Sequence, residues 1–102
     1  MTGFWDIAGE LMAANDSLLE GSIMGQPCLR LGKEFVAMPE HKANRMIVKL
    51  DADRVEELIA AGIAESFAPA GKVFREWAAV ADSARWQSLL EEGIAKAARS
   101  AG

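Results

Sequence analysis

The sequence predicts an α+β fold, an antiparallel sheet of about five strands with three helices packed against it. Three observations predict it. Apolar residues recur at three- and four-residue spacing near both ends of the chain and once in the middle, as buried helical faces require. Between residues 28 and 50, and again between 65 and 80, short β-branched and aromatic runs read as strands. These runs are joined mostly by tight turns, so strands adjacent in the chain are adjacent in the sheet, and the helices take one sheet face. The 102 residues form one domain, residues 1–102, long enough to close a core without disulfide or metal staples.

The first helix is predicted over residues 3–15. Thr2 is placed to cap it, and Phe4, Ile7 and Leu11 share its buried face. Asn15-Asp16-Ser17 ends it, because all three side chains compete for backbone hydrogen bonds. "CLRL" and "EFVAM" then flank Gly32-Lys33, a two-residue turn with glycine in the position a type II′ hairpin prefers. That register sets Leu31 against Glu34, Arg30 against Phe35, Leu29 against Val36 and Cys28 against Ala37. Pro39 is expected to end the second strand, since it cannot donate to a ladder. "PEHKANR" reads as a polar loop and "RMIVKL" as a third strand, with Met46, Val48 and Leu50 on one face and Arg45, Ile47 and Lys49 on the other.

Asp51 is a sound N-cap for the middle helix, with Leu50 and Val55 at the positions of a hydrophobic staple. Val55, Leu58 and Ile59 form its buried stripe, and Gly62 is its expected left-handed terminator. "ESFAP" and "KVFREWAAV" give a short and a longer strand around Ala70-Gly71. A last helix from Asp82 buries Trp86, Leu89, Leu90 and Ile94, and residues 98–102 are expected to fray.

The chain holds one cysteine, Cys28, and one histidine, His41, both within the central strand region. A Cys–His pair makes a nucleophile only when the imidazole reaches the thiol and a third group orients it. With Cys28 paired in a hairpin and His41 in the loop beyond, the expectation is a buried cysteine and a solvated histidine. Zinc wants three or four ligands, and His41 beside Glu40 offers two. Met24, Met38 and Met46 read as core filler. The adjacent acids Asp51/Asp53, Glu56/Glu57 and Glu91/Glu92 read as helix-start and solvated positions. No catalytic, cofactor-binding or metal residues are therefore assigned, and no cofactor is expected. A single cysteine forms no internal disulfide, no apolar run reaches the roughly 18–20 residues of a membrane span, and the acidic N-terminal stretch is unlike a signal peptide. These expectations place the protein in the cytoplasm.

Charge is uneven. The net charge is −4, yet residues 30–49 carry Arg30, Lys33, Lys42, Arg45 and Lys49 against Glu34 and Glu40 alone. If Leu29, Leu31, Val36, Met38, Met46, Val48 and Leu50 face the helices, the opposite face carries Arg30, Phe35, Arg45, Ile47 and Lys49. Strand parity then offers two choices further on: Arg75 with Trp77 on that face, or Phe74, Glu76, Ala78 and Val80. The first choice defines a candidate binding face of Arg30, Phe35, Arg45, Lys49, Arg75 and Trp77. Cationic and aromatic groups on one face suit a single-stranded nucleic acid or an anionic ligand. Trp77 as core, with the cations paired to Glu34, Glu65 or Glu76, is the competing arrangement.

Met24-Gly25-Gln26-Pro27 ahead of a strand, then "LRLGKEFVAM", "MIVKLD" and "FREWAAV" before a final helix, resemble the MmcQ/YjbR-like family. They also resemble the related N-terminal domain of TfoX/Sxy competence regulators. The likeness runs along nearly the whole chain through short, mostly structural motifs. It implies the compact double-wing fold of small bacterial proteins, for which DNA binding has been suggested from shape, and it implies no catalytic set. TfoX-type regulators carry a second domain for which this chain has no room, so a competence role is not carried over. Two functions follow as expectations. One is a non-enzymatic module, monomeric or homodimeric, that binds a protein or small-molecule partner through Phe35, Ile47 or Trp77 in a regulatory role. The other is a regulator that binds DNA or single-stranded nucleic acid through the basic and aromatic face. Neither involves a membrane.

Overall fold

Every pair of neighbouring strands runs antiparallel in the computed structural model, which describes residues 3–40 and 44–101. The elements are α1 (Phe4–Ala14), β1 (Leu18–Ile23), β2 (Gln26–Leu31), β3 (Glu34–Glu40), β4 (Arg45–Lys49), α2 (Ala52–Ala60), β5 (Glu65–Phe67), β6 (Phe74–Val80) and α3 (Trp86–Ala101). They build one sheet in the order β1-β2-β3-β4-β6-β5, with the three helices contributing to the core on one face. The predicted class holds, and the sheet has six strands. No described helix is long and apolar enough to cross a membrane.

The additional strand is β1, joined to β2 by Met24-Gly25 with Ile23 opposite Gln26. Both turn residues have positive φ, 51° and 77°, which is the pattern of a type I′ hairpin. A non-glycine residue in that region is uncommon, so methionine there gives no turn signal. Gly21, in the middle of β1, leaves room for the Arg30 side chain. A Cβ at Gly21 would lie 2.5 Å from Arg30 Cδ.

The second hairpin keeps its predicted turn. Gly32 has φ 58° while Lys33 is not in the positive region, as type II′ requires. Leu31 faces Glu34 and Arg30 faces Phe35, but Leu29 faces Ala37 because the register shifts there. This bulge corrects two expectations. Ala37 pairs with Leu29 rather than with Cys28, whose partner on the other side of β2 is Gly21. Val36 and Ala37 both join the helix-side core, which sends Met38 to the other face. A bulge inserts one residue and so inverts the alternation beyond it. Pro39 does not end β3, which continues to Glu40 with Pro39 opposite Met46. The β2 ladder stops at Ala37, so Pro39 is paired on one side only, where its missing donor is tolerated.

The helix-side core gathers Leu29, Val36, Met46, Val48, Leu50 and Val80 from the sheet with Phe4, Val55, Leu58, Trp86 and Leu90 from the helices. Trp86 is buried because its indole N–H donates to the Val80 carbonyl at 2.8 Å, as a buried Trp requires. Helix α3 approaches β3 and β4 at Gly93, where an added Cβ would meet Val48 Cγ2 at 2.9 Å. In α1 the Gly3 N–H donates to the Asp6 carboxylate at 3.0 Å, and the predicted Thr2 cap lies outside the described residues. Asn15 Oδ1 accepts from the Ser17 N–H at 3.0 Å, the competing bond that ends the helix.

In α2, Val55 and Leu58 are buried but Ile59 is 38% exposed, so the predicted stripe is narrower by one residue. Gly62, at φ 76°, terminates it as predicted. Asp51 sits at the N-cap without a side-chain capping bond. Its carboxylate accepts instead from Lys96 Nζ at 2.9 Å and Arg99 Nη2 at 3.1 Å. That tie explains why α3 continues to Ala101 through residues expected to fray. Asp82 caps a short 3₁₀ turn, Ser83–Arg85, by accepting from the Ala84 N–H, so α3 proper begins at Trp86.

Candidate binding face

The sheet face away from the helices carries a second apolar cluster: Cys28, Met38, Ile47, Phe67 and Ala79, with Ile23, Phe35, Phe74 and Trp77 packed against it. All of these residues lie on strands. The cluster is therefore roofed by its own long side chains rather than by a helix. Phe35 and Trp77 stack with centroids 4.5 Å apart and planes 14° from parallel. Phe67 and Phe74 lie 5.5 and 5.1 Å from Trp77. Four rings thus adjoin on one face, at separations where aromatic contact adds to simple burial.

Strand parity at β6 resolves differently from either choice the sequence offers. Trp77 and Ala79 join this face while Ala78 and Val80 join the helix side. Phe74 nevertheless joins Trp77, because β6 is irregular there: Ser66 pairs with Ala78 but Phe67 pairs with Phe74. Glu76 is taken by the helical layer, with Lys96 Nζ 3.3 Å from its carboxylate.

Of the six candidate residues, register places Arg30 directly opposite Phe35 and Lys49 directly opposite Trp77. Arg30 Nη2 donates to the Lys33 carbonyl at 2.7 Å, and its buried Nε has no hydrogen-bond partner among the described residues. Arg45 is spent on structure. It grips Glu40 through two bonds of 2.6 and 3.0 Å and reaches Glu65 at 3.3 Å, and the Glu40 hydrogen bond, ahead of its charge, raises the guanidinium pKa further. Arg75 is exposed, and neither it nor Lys49 makes an ion pair among the described residues. Ile47, a predicted contact residue, is fully buried and cannot touch a partner.

Cys28 is buried in the same cluster. Burial pushes its thiol pKa up, against a smaller downward pull from the Arg30 charge. A thiol held neutral is a poor nucleophile. His41 and Lys42 lie outside the described residues. Among the described residues no three His, Cys, Asp or Glu side chains gather as a metal site would require.

Ile23, Phe67 and Phe74 belong to the face and were missing from the sequence-derived set. The aromatic spacing 67, 74, 77 was visible, but regular alternation would have parted Phe74 from Trp77. The fold and face define a six-stranded antiparallel α+β protein with an aromatic, partly cationic sheet surface. No family model, curated protein or solved structure matches the chain.

Proposed function

We propose that the protein is a non-enzymatic binding module that takes a small-molecule or protein partner on the uncovered sheet face, in a regulatory role. The observation that carries this is the ring group Phe35–Trp77–Phe74, half-buried, in a cluster to which no described helix contributes a residue. Aromatic side chains that are partly wet supply large contact area at little entropic cost. The MmcQ/YjbR-like resemblance is part of the same proposal, and the antiparallel sheet with helices on one face is compatible with it.

Nucleic-acid binding is the second reading, favoured by the cation–aromatic cross-strand pairs Arg30/Phe35 and Lys49/Trp77. Two features weigh against it. Single-strand readers offer free ring faces to bases, whereas Phe35 and Trp77 occupy each other's faces. Arg45 is neutralised by two glutamates.

A titration with a ten-nucleotide single strand and a short duplex at about 50 and 200 mM salt separates the readings, because phosphate contacts weaken steeply over that range. A partner module leaves amide and indole NMR spectra unchanged at both salts. Shifts at residues 30–49 and 73–77 that fall sharply with salt and disappear in Lys49→Gln would make the nucleic-acid reading correct.

A further inference from the structure

Strand β1 forms one edge of the sheet and β5 the other, and only β5 is guarded. Strand β5 has three residues, a register shift against β6 and Pro69 just beyond it, features by which sheets keep other strands off an edge. Strand β1 has six residues in unbroken register with β2, and neither Lys nor Pro. No described strand pairs with its outer side. We propose that a second copy of this chain pairs there, antiparallel and about a two-fold axis at Gly21, so that one continuous sheet spans both copies.

The free backbone groups limit which residues can pair. The Ser17 carbonyl accepts from the Gly32 N–H at 3.1 Å, and antiparallel bonding alternates along a strand. Leu19, Gly21 and Ile23 therefore turn their peptide groups toward β2, while Leu18, Glu20 and Ser22 turn theirs outward. The Leu18 N–H already donates to the Asn15 carbonyl at 3.1 Å, which leaves Glu20 and Ser22 to bond a neighbour.

Self-pairing then selects the register. Leu19 lies opposite Arg30, which lies opposite Phe35, so Leu19, Gly21 and Ile23 belong to the open face. A two-fold axis normal to the sheet sets residues of one face against each other. With the axis at Gly21, Glu20 exchanges both backbone bonds with Ser22 of the second copy, twice by symmetry. Leu19, 53% exposed, meets Ile23 of the second copy, and Ile23 packs against the aromatic cluster. An axis at Glu20 would oppose two glutamates and call on the engaged Leu18 N–H. An axis at Ser22 would set Leu19 against Gly25 in the turn. The strand is thus complementary to its own reverse in apolar contact and in charge, which singles out a second copy over an unrelated strand. Met24, 61% exposed, flanks the same edge and adds to its apolar character. A strand pair of this length falls below the roughly 1,200 Å² of a standard interface, so a dissociation constant of about 10–100 μM is expected.

Sedimentation equilibrium of the whole protein from about 1 to 500 μM reads the association directly. A reversible monomer–dimer equilibrium is expected. Ser22→Lys, at an exposed position, sets a cation against Glu20 of the second copy at two symmetric places and should tighten the dimer about three- to tenfold. Ser22→Glu should loosen it by a similar factor. Glu20→Lys combined with Ser22→Lys should also loosen it, although the two changes bring the net charge of −4 nearer zero, which separates register from general repulsion. A protein that stays monomeric throughout, or a dimer indifferent to charge at Ser22, overturns the proposal. Either result leaves the binding role of the open face to its own test.

Discussion

One sheet serves two surfaces here, and they are closed in different ways. On the helix side, aliphatic residues from β2, β3, β4 and β6 meet those of α1, α2 and α3, and the largest on both sides of that contact, Leu29 and Met46 from the sheet and Leu90 from α3, are essentially inaccessible. On the other side, Met38 and Ile47 are just as buried, but what covers them is Phe35, Phe74 and Trp77, which remain partly exposed. A helix-covered face is fixed by interlocking of separate elements. A face roofed by its own side chains can exchange part of that roof for a partner. The difference teaches that complete burial of a sheet residue does not imply a second structural layer above it.

Several substitutions would break or sharpen this contrast. The largest effect is expected at Leu90→Ala, which opens a cavity between α3 and the sheet and should cost about 2–5 kcal/mol in denaturant unfolding. Gly93→Ala comes next. Its Cβ would press on Val48 Cγ2, and overpacking of this kind costs about 1–3 kcal/mol, offset by up to about 1 kcal/mol of improved helix propensity. A net loss of about 1–2 kcal/mol in the same assay is the expected outcome, and a stabilised variant would show that α3 stands off from β4.

Phe35→Ala should cost less than Leu90→Ala, about 1–2 kcal/mol, because a half-exposed ring surrenders only part of its burial and its stacking. A loss equal to that at Leu90 would mean that the second face is as closed as the first. The smallest effect concerns the tie between α3 and the start of α2. The Lys96 ammonium, by its hydrogen bond first and its charge second, holds the Asp51 carboxyl below its ordinary pKa. A carboxylate lowered in the folded state adds stability that is complete above the ordinary value of about 4 and is lost as pH falls through the lower folded value. Wild type and Asp51→Asn should therefore differ slightly in thermal midpoint at pH 7 and converge at the acid end. A difference that persists in acid would place the role of Asp51 elsewhere.

Much of the helix-side architecture was legible because it rests on period and capping. Leu50 and Val55, Gly62, and the stripe Trp86, Leu89, Leu90 behave as their spacing dictates. The second face was only half legible. Phe35 and Trp77 fell on the predicted side, with Arg30 and Lys49 opposite them in register, yet Met38 and Phe74 did not, since each lies past an irregularity that inverts strand parity. A bulge has no dedicated residue type when, as at Val36-Ala37, no glycine marks it. Strand β1 was illegible for a related reason: Met24 occupies a turn conformation that normally announces itself by Asn, Asp or Gly. The pairing of Arg45 with Glu40 and Glu65 depends on which strands meet, and that is a property of the assembled sheet.

The two tryptophans on the two faces give the most direct test of the central claim. Trp86 is sealed in the helix-side core with its indole N–H bonded, while Trp77 is half-exposed in the ring group. Their indole signals should be followed by ¹H–¹⁵N NMR while a few hundred small organic fragments are screened against the protein. Fragment-induced shifts are expected to concentrate on Trp77 and its neighbours Phe35 and Phe74, with Trp86 unmoved. Shifts confined to Trp86, scattered over the surface, or absent altogether would show that the uncovered face is not a binding surface.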